Sequence, residues 1–526
     1  MSLFTGVEDR LTNAIKEATD YTSWTAASQA HDEHTGMDRW KAMDQTRMYD
    51  HVSIRTRLDK LRILRSQGDY HGLLFTLNEG IHGNMGGMGN AALYERAKFG
   101  TKQLIVDYID EICETLEIIE DVDESVISFA EKHDFIHRAS HCFGRSALML
   151  SGGAMLGNFH LGVVKNLLEE GLLPKVISGS SAGSIIAAVL GTHTNEQLLT
   201  LFDSVHLRIE AQKEASWFAR MLWSKTPQID IKDVRDFIDR LVPDMTFAEA
   251  FELTGRQINI TVAPAELQQT SRLLNAVTSP NVHIRAAVLA SSAVPGIYPP
   301  VTLEAKNVHG ERQPYLPSRK WVDGSVSDDL PAKRLARLYG VNHFVVSQTN
   351  PIVLPFLLGA HSDSAVIRNA FDLGHQTFRG TMRAGQKITR PYVQRWPRLG
   401  LLLNTWFSLG VQDYMGDVNI IPDYRFVDPR KLLAEPTEDE VMRLIEAGER
   451  ATWPKIEMMR ECSKISRTLD AILTRMDAVE REATASLKLS MRSSKRSKSA
   501  PIKATPATKP KSKSKSKVQS KNHIAA

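Results

Sequence analysis

The chain has 526 residues, enough for two or three domains, and its 42% hydrophobic and 24% charged residues are those of a water-soluble globular protein. Three widely spaced cysteines, Cys113, Cys142 and Cys462, form no CxxC pair, which argues against a disulfide framework or a zinc site and for a reducing compartment. The net charge of +4 hides an asymmetry: twelve of the 65 Lys and Arg follow Thr484 with no acid among them, so the other 53 face all 61 acids.

The first 21 residues, "MSLFTGVEDRLTNAIKEATDY", lack a basic region followed by an apolar core, so no secretory signal is expected. No segment approaches the roughly 20 apolar residues of a membrane-spanning helix. An intracellular protein is expected, one that touches a membrane without crossing it. Residues 1–145 read as a helical domain. Within it a glycine cluster, "HGNMGGMGN", reads as a loop, and the segment after it places Leu93, Ala97, Leu104, Tyr108, Ile109 and Ile112 near one helical face.

The texture changes at Ala147. "ALML" and "KVISG" read as short buried strands, each followed by a helical pattern, and "INITVAP" and "HFVVSQ" read as two more. Strands alternating with helices predict an α/β fold: a mainly parallel sheet covered on both faces over 146–345, in three α/β/α layers, flanked by helical N- and C-terminal regions. Residues 346–483 return mostly to helical pattern. There "PIVLPFLLG" and "LGLLLNTWFSLGV" are apolar enough to be core helices or to lie in a lipid interface, with Trp406 and Phe407 at headgroup depth. Residues 484–526, rich in Lys, Ser, Ala and Pro, read as a disordered basic tail. Such a tail can contact an anionic surface or remain solvated, and no specific nucleic-acid partner is predicted.

Three motifs in the α/β segment carry chemistry. "GSSAG" fits G-x-S-x-G with Ser181 at its centre, between "KVIS" as strand and "SIIAAVL" as helix. Gly179 and Gly183 permit the sharp turn that exposes a nucleophilic serine, and the helix N-terminus favours negative charge beside it. The same serine could equally be an ordinary helix N-cap. "SGGAMLG" brings Gly152 and Gly153 to a strand end, where backbone N–H groups can bind an oxyanion. A dinucleotide turn would need glycine where Ala154 stands. "WVDGS" puts Asp323 after a short strand, as a base for the serine or as an Asp-Gly turn. No histidine stands where a triad would place one; His160, on a predicted helix, reads as packed.

Together "SGGAMLG", "GSSAG" and "DGS" resemble the patatin-like phospholipase and lipase family, and "AVLASSAVPGIYPPV" is similar to the family's segment between nucleophile and aspartate. "WTAASQAHDEHTGMDRWK" resembles the helical domain of the family's triacylglycerol-lipase branch. The resemblance implies a serine lipid acyl hydrolase with a Ser181–Asp323 dyad. It implies oxyanion donors at Gly152, Gly153 and Ala154, the last replacing a glycine of the broader family, and neither metal nor cofactor. It also implies a lipid substrate, triacylglycerol first, met at a membrane or lipid-droplet surface. A phospholipase A, lysophospholipase or transacylase would use the same residues, and a non-catalytic lipid-surface scaffold is the rival from another class.

Overall fold

The computed structural model describes residues 2–203, 207, 231–266, 269–295, 298–351, 353, 416–422 and 437–498. The apolar stretches at 351–359 and 399–411, Pro351 and Val353 apart, and the tail beyond 498 lie outside these described residues.

Eight α-helices, from Ser2–Glu17 to Phe129–Phe143, precede the first strand. Asp20, Asp50, Asp69 and Ser128 cap four of them, each side chain accepting a backbone N–H of the first turn. All six apolar residues of the predicted face are buried. They do not share one helix, however: Leu93 lies in Ala91–Glu95, Leu104, Tyr108, Ile109 and Ile112 in Gln103–Asp121, and Ala97 in the connection, which turns through Gly100 at φ 72. The buried Glu111 is offset by Arg62 and Arg65, at 3.2 and 2.9 Å.

The central sheet is built from β1 (Arg145–Leu150), β2 (Val176–Gly179), β3 (Gln257–Pro264), β4 (Arg272–Leu274), β7 (Trp321–Asp323), β8 (Val341–Ser347) and β9 (Val418–Ile420). Its order is β4-β3-β2-β1-β8-β9, with β7 also pairing with β3. Strands β2, β1, β8 and β9 run parallel to their neighbours, while β4 and β7 pair antiparallel with β3. A separate hairpin joins β5 (Leu303–Lys306) to β6 (Arg312–Tyr315). Ala147, Leu148, Met149 and Leu150 of β1 are all fully buried, as expected of a central parallel strand covered on both faces.

The helix Phe159–Glu169, which follows β1, packs against Glu438–Thr452 so closely that only glycine fits at the crossing. A Cβ on Gly162 would lie 1.9 Å from the Ile445 carbonyl oxygen, and one on Gly448 2.1 Å from that of Phe159. Lys165 to Glu449 at 2.7 Å and the Trp453 indole N–H to Asn166 at 3.3 Å flank that contact.

Two expectations change here. The region after 346 contains a strand, β9, which continues the parallel sheet beyond β8. The last helix, Ile456–Lys498, continues past 484 into the segment read as disordered, since Ala, Leu, Met, Lys and Arg favour helix. Met1–Leu473 forms one compact unit and Thr474–Ala526 a second.

Candidate active site

β1, β2 and β7 bring the three motifs to the same end of the sheet. Ser181 follows β2 directly, at φ 50 and ψ −123, a conformation that costs a non-glycine residue roughly 1–3 kcal/mol. The turn has no space for larger neighbours. A Cβ on Gly179 would lie 2.2 Å from the Gly183 oxygen, and one on Gly183 2.4 Å from the Leu150 oxygen. Backbone bonds close the turn: Ser180 N–H to Leu150 O at 3.2 Å, Gly183 N–H to Ser180 O at 2.9 Å and Ser184 N–H to Ser181 O at 2.9 Å. Ser181 occupies the N-cap position of Ala182–Thr192, yet its side chain makes no capping bond. Its hydroxyl is instead close enough to the Asp323 carboxylate to favour that group's ionised form.

Asp323 ends β7 and is 1% exposed. Its N–H donates to Ala293 O at 2.9 Å, and its carboxylate accepts the Ser325 N–H at 2.8 Å. Gly324 is required behind it, because a Cβ there would lie 2.3 Å from the Thr261 carbonyl. Burial pushes the Asp323 carboxyl up to about 6, against the opposing pull of the Ser325 and Ser181 hydrogen bonds.

The loop after β1 lies against both. A Cβ on Gly152 would stand 3.2 Å from those of Ser181 and Ser325. Its three candidate donors differ. The Gly152 N–H donates to Asp329 Oδ1 at 2.9 Å, so it is turned inward, away from the part of an oxyanion donor that the resemblance implied for it. Among the described residues, no hydrogen bond takes up the Gly153 or Ala154 N–H. Ala154 is exposed and sits at φ 48, the conformation that a glycine there would adopt without strain. A Cβ on Gly153 would meet Thr349 Oγ1 at 2.2 Å.

Three residues that the motifs did not mark hold this arrangement. Ser291 Oγ accepts the Ser181 N–H at 3.0 Å and donates to Thr261 O at 2.8 Å, tying the elbow to β3. Its signal lay in the small-residue segment "AVLASS", without a role attached. His160 is fully buried, its Nε2 3.0 Å from Ser151 O and its Nδ1 2.6 Å from Ser347 Oγ. Burial lowers it to about 4, so it is neutral, and it braces the strand end before the glycine loop rather than the serine. Asp329 is buried beneath the loop, and burial pushes it up to about 7, with the nearby Asp323 adding to the rise.

Sequence comparison agrees with the fold. Residues 148–336 match the family model described as patatin-like phospholipase, and 2–141 match a domain of unknown function, DUF3336. The chain is 32% identical to triacylglycerol lipase SDP1L of Arabidopsis thaliana, over 89% of this chain and 59% of that protein. It is 33% identical to triacylglycerol lipase 4 of Saccharomyces cerevisiae, over 86% and 51%. A patatin-like phospholipase domain-containing protein of Aspergillus oryzae is 33% identical over 88% of this chain and 68% of its own length. The chain thus spans between half and two thirds of the length of these relatives. With a family model over residues 148–336 and 33% identity to a relative of which 68% is covered, the chain belongs to the patatin-like phospholipase family.

Proposed function

We propose that this protein is a serine lipid acyl hydrolase that releases fatty acid from glycerolipid esters, with triacylglycerol as the favoured substrate. One observation carries the reading: a serine on a strained strand-to-helix turn beside a buried carboxylate whose ionised form it favours.

In this mechanism Ser181 Oγ attacks the ester carbonyl carbon while its proton passes to Asp323. A carboxyl near 6 is ionised at neutral pH and is a stronger base than an ordinary aspartate. Negative charge on the carbonyl oxygen is met by the Gly153 and Ala154 N–H groups, helped by the N-terminus of Ala182–Thr192. As the tetrahedral intermediate collapses, Asp323 returns the proton to the departing alcohol oxygen. Water then loses a proton to Asp323 and attacks the acyl carbon, and the fatty acid leaves as Ser181 regains its hydrogen.

Triacylglycerol is favoured because two relatives carry the name triacylglycerol lipase, and a phospholipase A or lysophospholipase is the second reading, supported by the family description. No described helix is long and apolar enough to cross a membrane, which is compatible with action at a lipid-droplet or membrane surface. A fluorophosphonate probe should label the wild type and leave Ser181→Ala unlabelled. Ser181→Ala should also lose at least about 10⁴-fold in hydrolysis. Chromatography of the products from mixed triacylglycerol and phospholipid emulsions identifies the substrate. A folded wild type that takes no label and releases no fatty acid would leave the scaffold reading standing.

A further inference from the structure

We propose that Asp329 is the positioning residue of the oxyanion loop: by holding the Gly152 N–H inward, it selects the Gly153 and Ala154 N–H groups to face the substrate carbonyl. The proposal rests on the acyl-hydrolase reading above and adds the residue that sets which amides do the work.

The geometry is specific. The Asp329 side chain lies under the glycine loop at 1% exposure, with Oδ1 2.9 Å from the Gly152 nitrogen. Asn350 Nδ2 donates to its other oxygen at 3.4 Å, from the segment that follows β8. The Asp329 main chain reaches the nucleophile turn, its carbonyl accepting the Ser180 hydroxyl at 2.8 Å. One residue therefore holds the donor loop through its side chain and the nucleophile turn through its backbone. The distance between those two turns sets where a carbonyl oxygen can sit once Ser181 attacks.

The loop needs such a hold because its conformation is strained. Ala154 at φ 48 persists only if its neighbours fix the peptides on either side. Gly153 is closed in by Thr349, whose N–H in turn donates to Ser151 Oγ at 2.8 Å. Gly152 has Asp329. Remove that carboxylate and the Gly152 N–H is left buried without its acceptor, so the peptide gains by rotating toward another one. That rotation moves the Gly153 and Ala154 N–H groups with it.

The test compares Asp329→Ala and Asp329→Asn with wild type, on a soluble p-nitrophenyl ester and with the fluorophosphonate probe. Asp329→Ala should lose about 100-fold in kcat, as expected when one oxyanion donor is misplaced, with KM within about 3-fold. Asp329→Asn should recover to within about 5-fold of wild type, because its amide oxygen still accepts from Gly152. A folded Asp329→Ala with kcat within about 3-fold of wild type overturns the proposal. So does a loss in Asp329→Asn as deep as in Asp329→Ala, which would make charge and not position the active property. If Asp329→Ala does not fold, Asp329→Asn decides by itself: near wild-type kcat supports the proposal, and a hundred-fold loss in folded protein overturns it. Failure of the dyad reading looks different, since wild type itself would then neither label nor hydrolyse the ester.

Discussion

The two turns beside Asp323 each force a non-glycine residue into the left-handed region, Ser181 at φ 50 and Ala154 at φ 48, and they hold it there by different means. The elbow is clamped chiefly by main chain, Gly179 against Gly183, Gly183 against Leu150, and three backbone hydrogen bonds within and around the turn, with the Ser291 and Ser180 hydroxyls adding one bond each. The loop after β1 is held by side chains from distant parts of the sequence, Asp329 beneath Gly152 and Thr349 against Gly153. Main-chain clamping leaves a compact glycine pattern in the sequence. Side-chain clamping leaves almost none.

The sharpest way to break the comparison is Gly183→Ala. A methyl group has no place 2.4 Å from a strand carbonyl, so the turn must open, at upwards of about 3 kcal/mol in stability and with loss of essentially all hydrolysis. Urea unfolding and esterase assay together check this; a stable and active variant would mean that the elbow is looser than its contacts imply.

Asp323→Asn separates function from stability within the same site. Hydrolysis should fall by about 10³-fold or more. Stability should rise, because the folded chain holds the Asp323 proton more tightly than the unfolded one, at about 6 against 3.8. That difference costs on the order of 3 kcal/mol once the group is ionised. The Asp323 contribution should be most favourable below about pH 4 and be lost as pH rises through 6, so that the stability gap between Asp323→Asn and wild type widens over that interval, and Asp329 adds a similar decline up to about 7 in both proteins. Catalysis runs the other way: kcat/KM should climb about tenfold per pH unit below 6 and level off above it. Unfolding curves and rate profiles from pH 4 to 8 test both signs. A stability gap between Asp323→Asn and wild type that stays flat from about pH 4 to 6 would contradict them.

The smallest expected effect is the most discriminating for the loop. Ala154→Gly should relieve the left-handed strain and stabilise the fold by up to about 1 kcal/mol, with kcat within about 3-fold of wild type. A large loss of kcat would show that the alanine methyl, and not only its N–H, shapes the site.

The same contrast explains what was readable in advance. β1, β2, β3 and β8 stood out as apolar runs, and the elbow as glycines around a serine, because each is a local property. Ser291 and Asp329 act across 110 and 177 positions, through one hydrogen bond each to a backbone N–H, and neither bond has a local signature. The two-helix break at Gly100 was signalled by that glycine, but apolar periodicity outweighed it. β9 was too short, at three residues, to show a period of two. The helix beyond 484 arose from propensity in a segment where composition argued for disorder.

The glycine-to-backbone crossing of Phe159–Glu169 and Glu438–Thr452 has a practical corollary for anyone shortening this protein. The family match ends at 336, yet β8, β9 and the helix that seats Gly448 all come later. A fragment cut at that boundary would strip β1 of one hydrogen-bonding neighbour and bare the outer side of the helix immediately downstream of the glycine loop. The support of the two turns therefore extends past the matched residues, and trimming from the carboxyl end should extinguish the proposed hydrolysis well before it reaches Asp323 or Ser181.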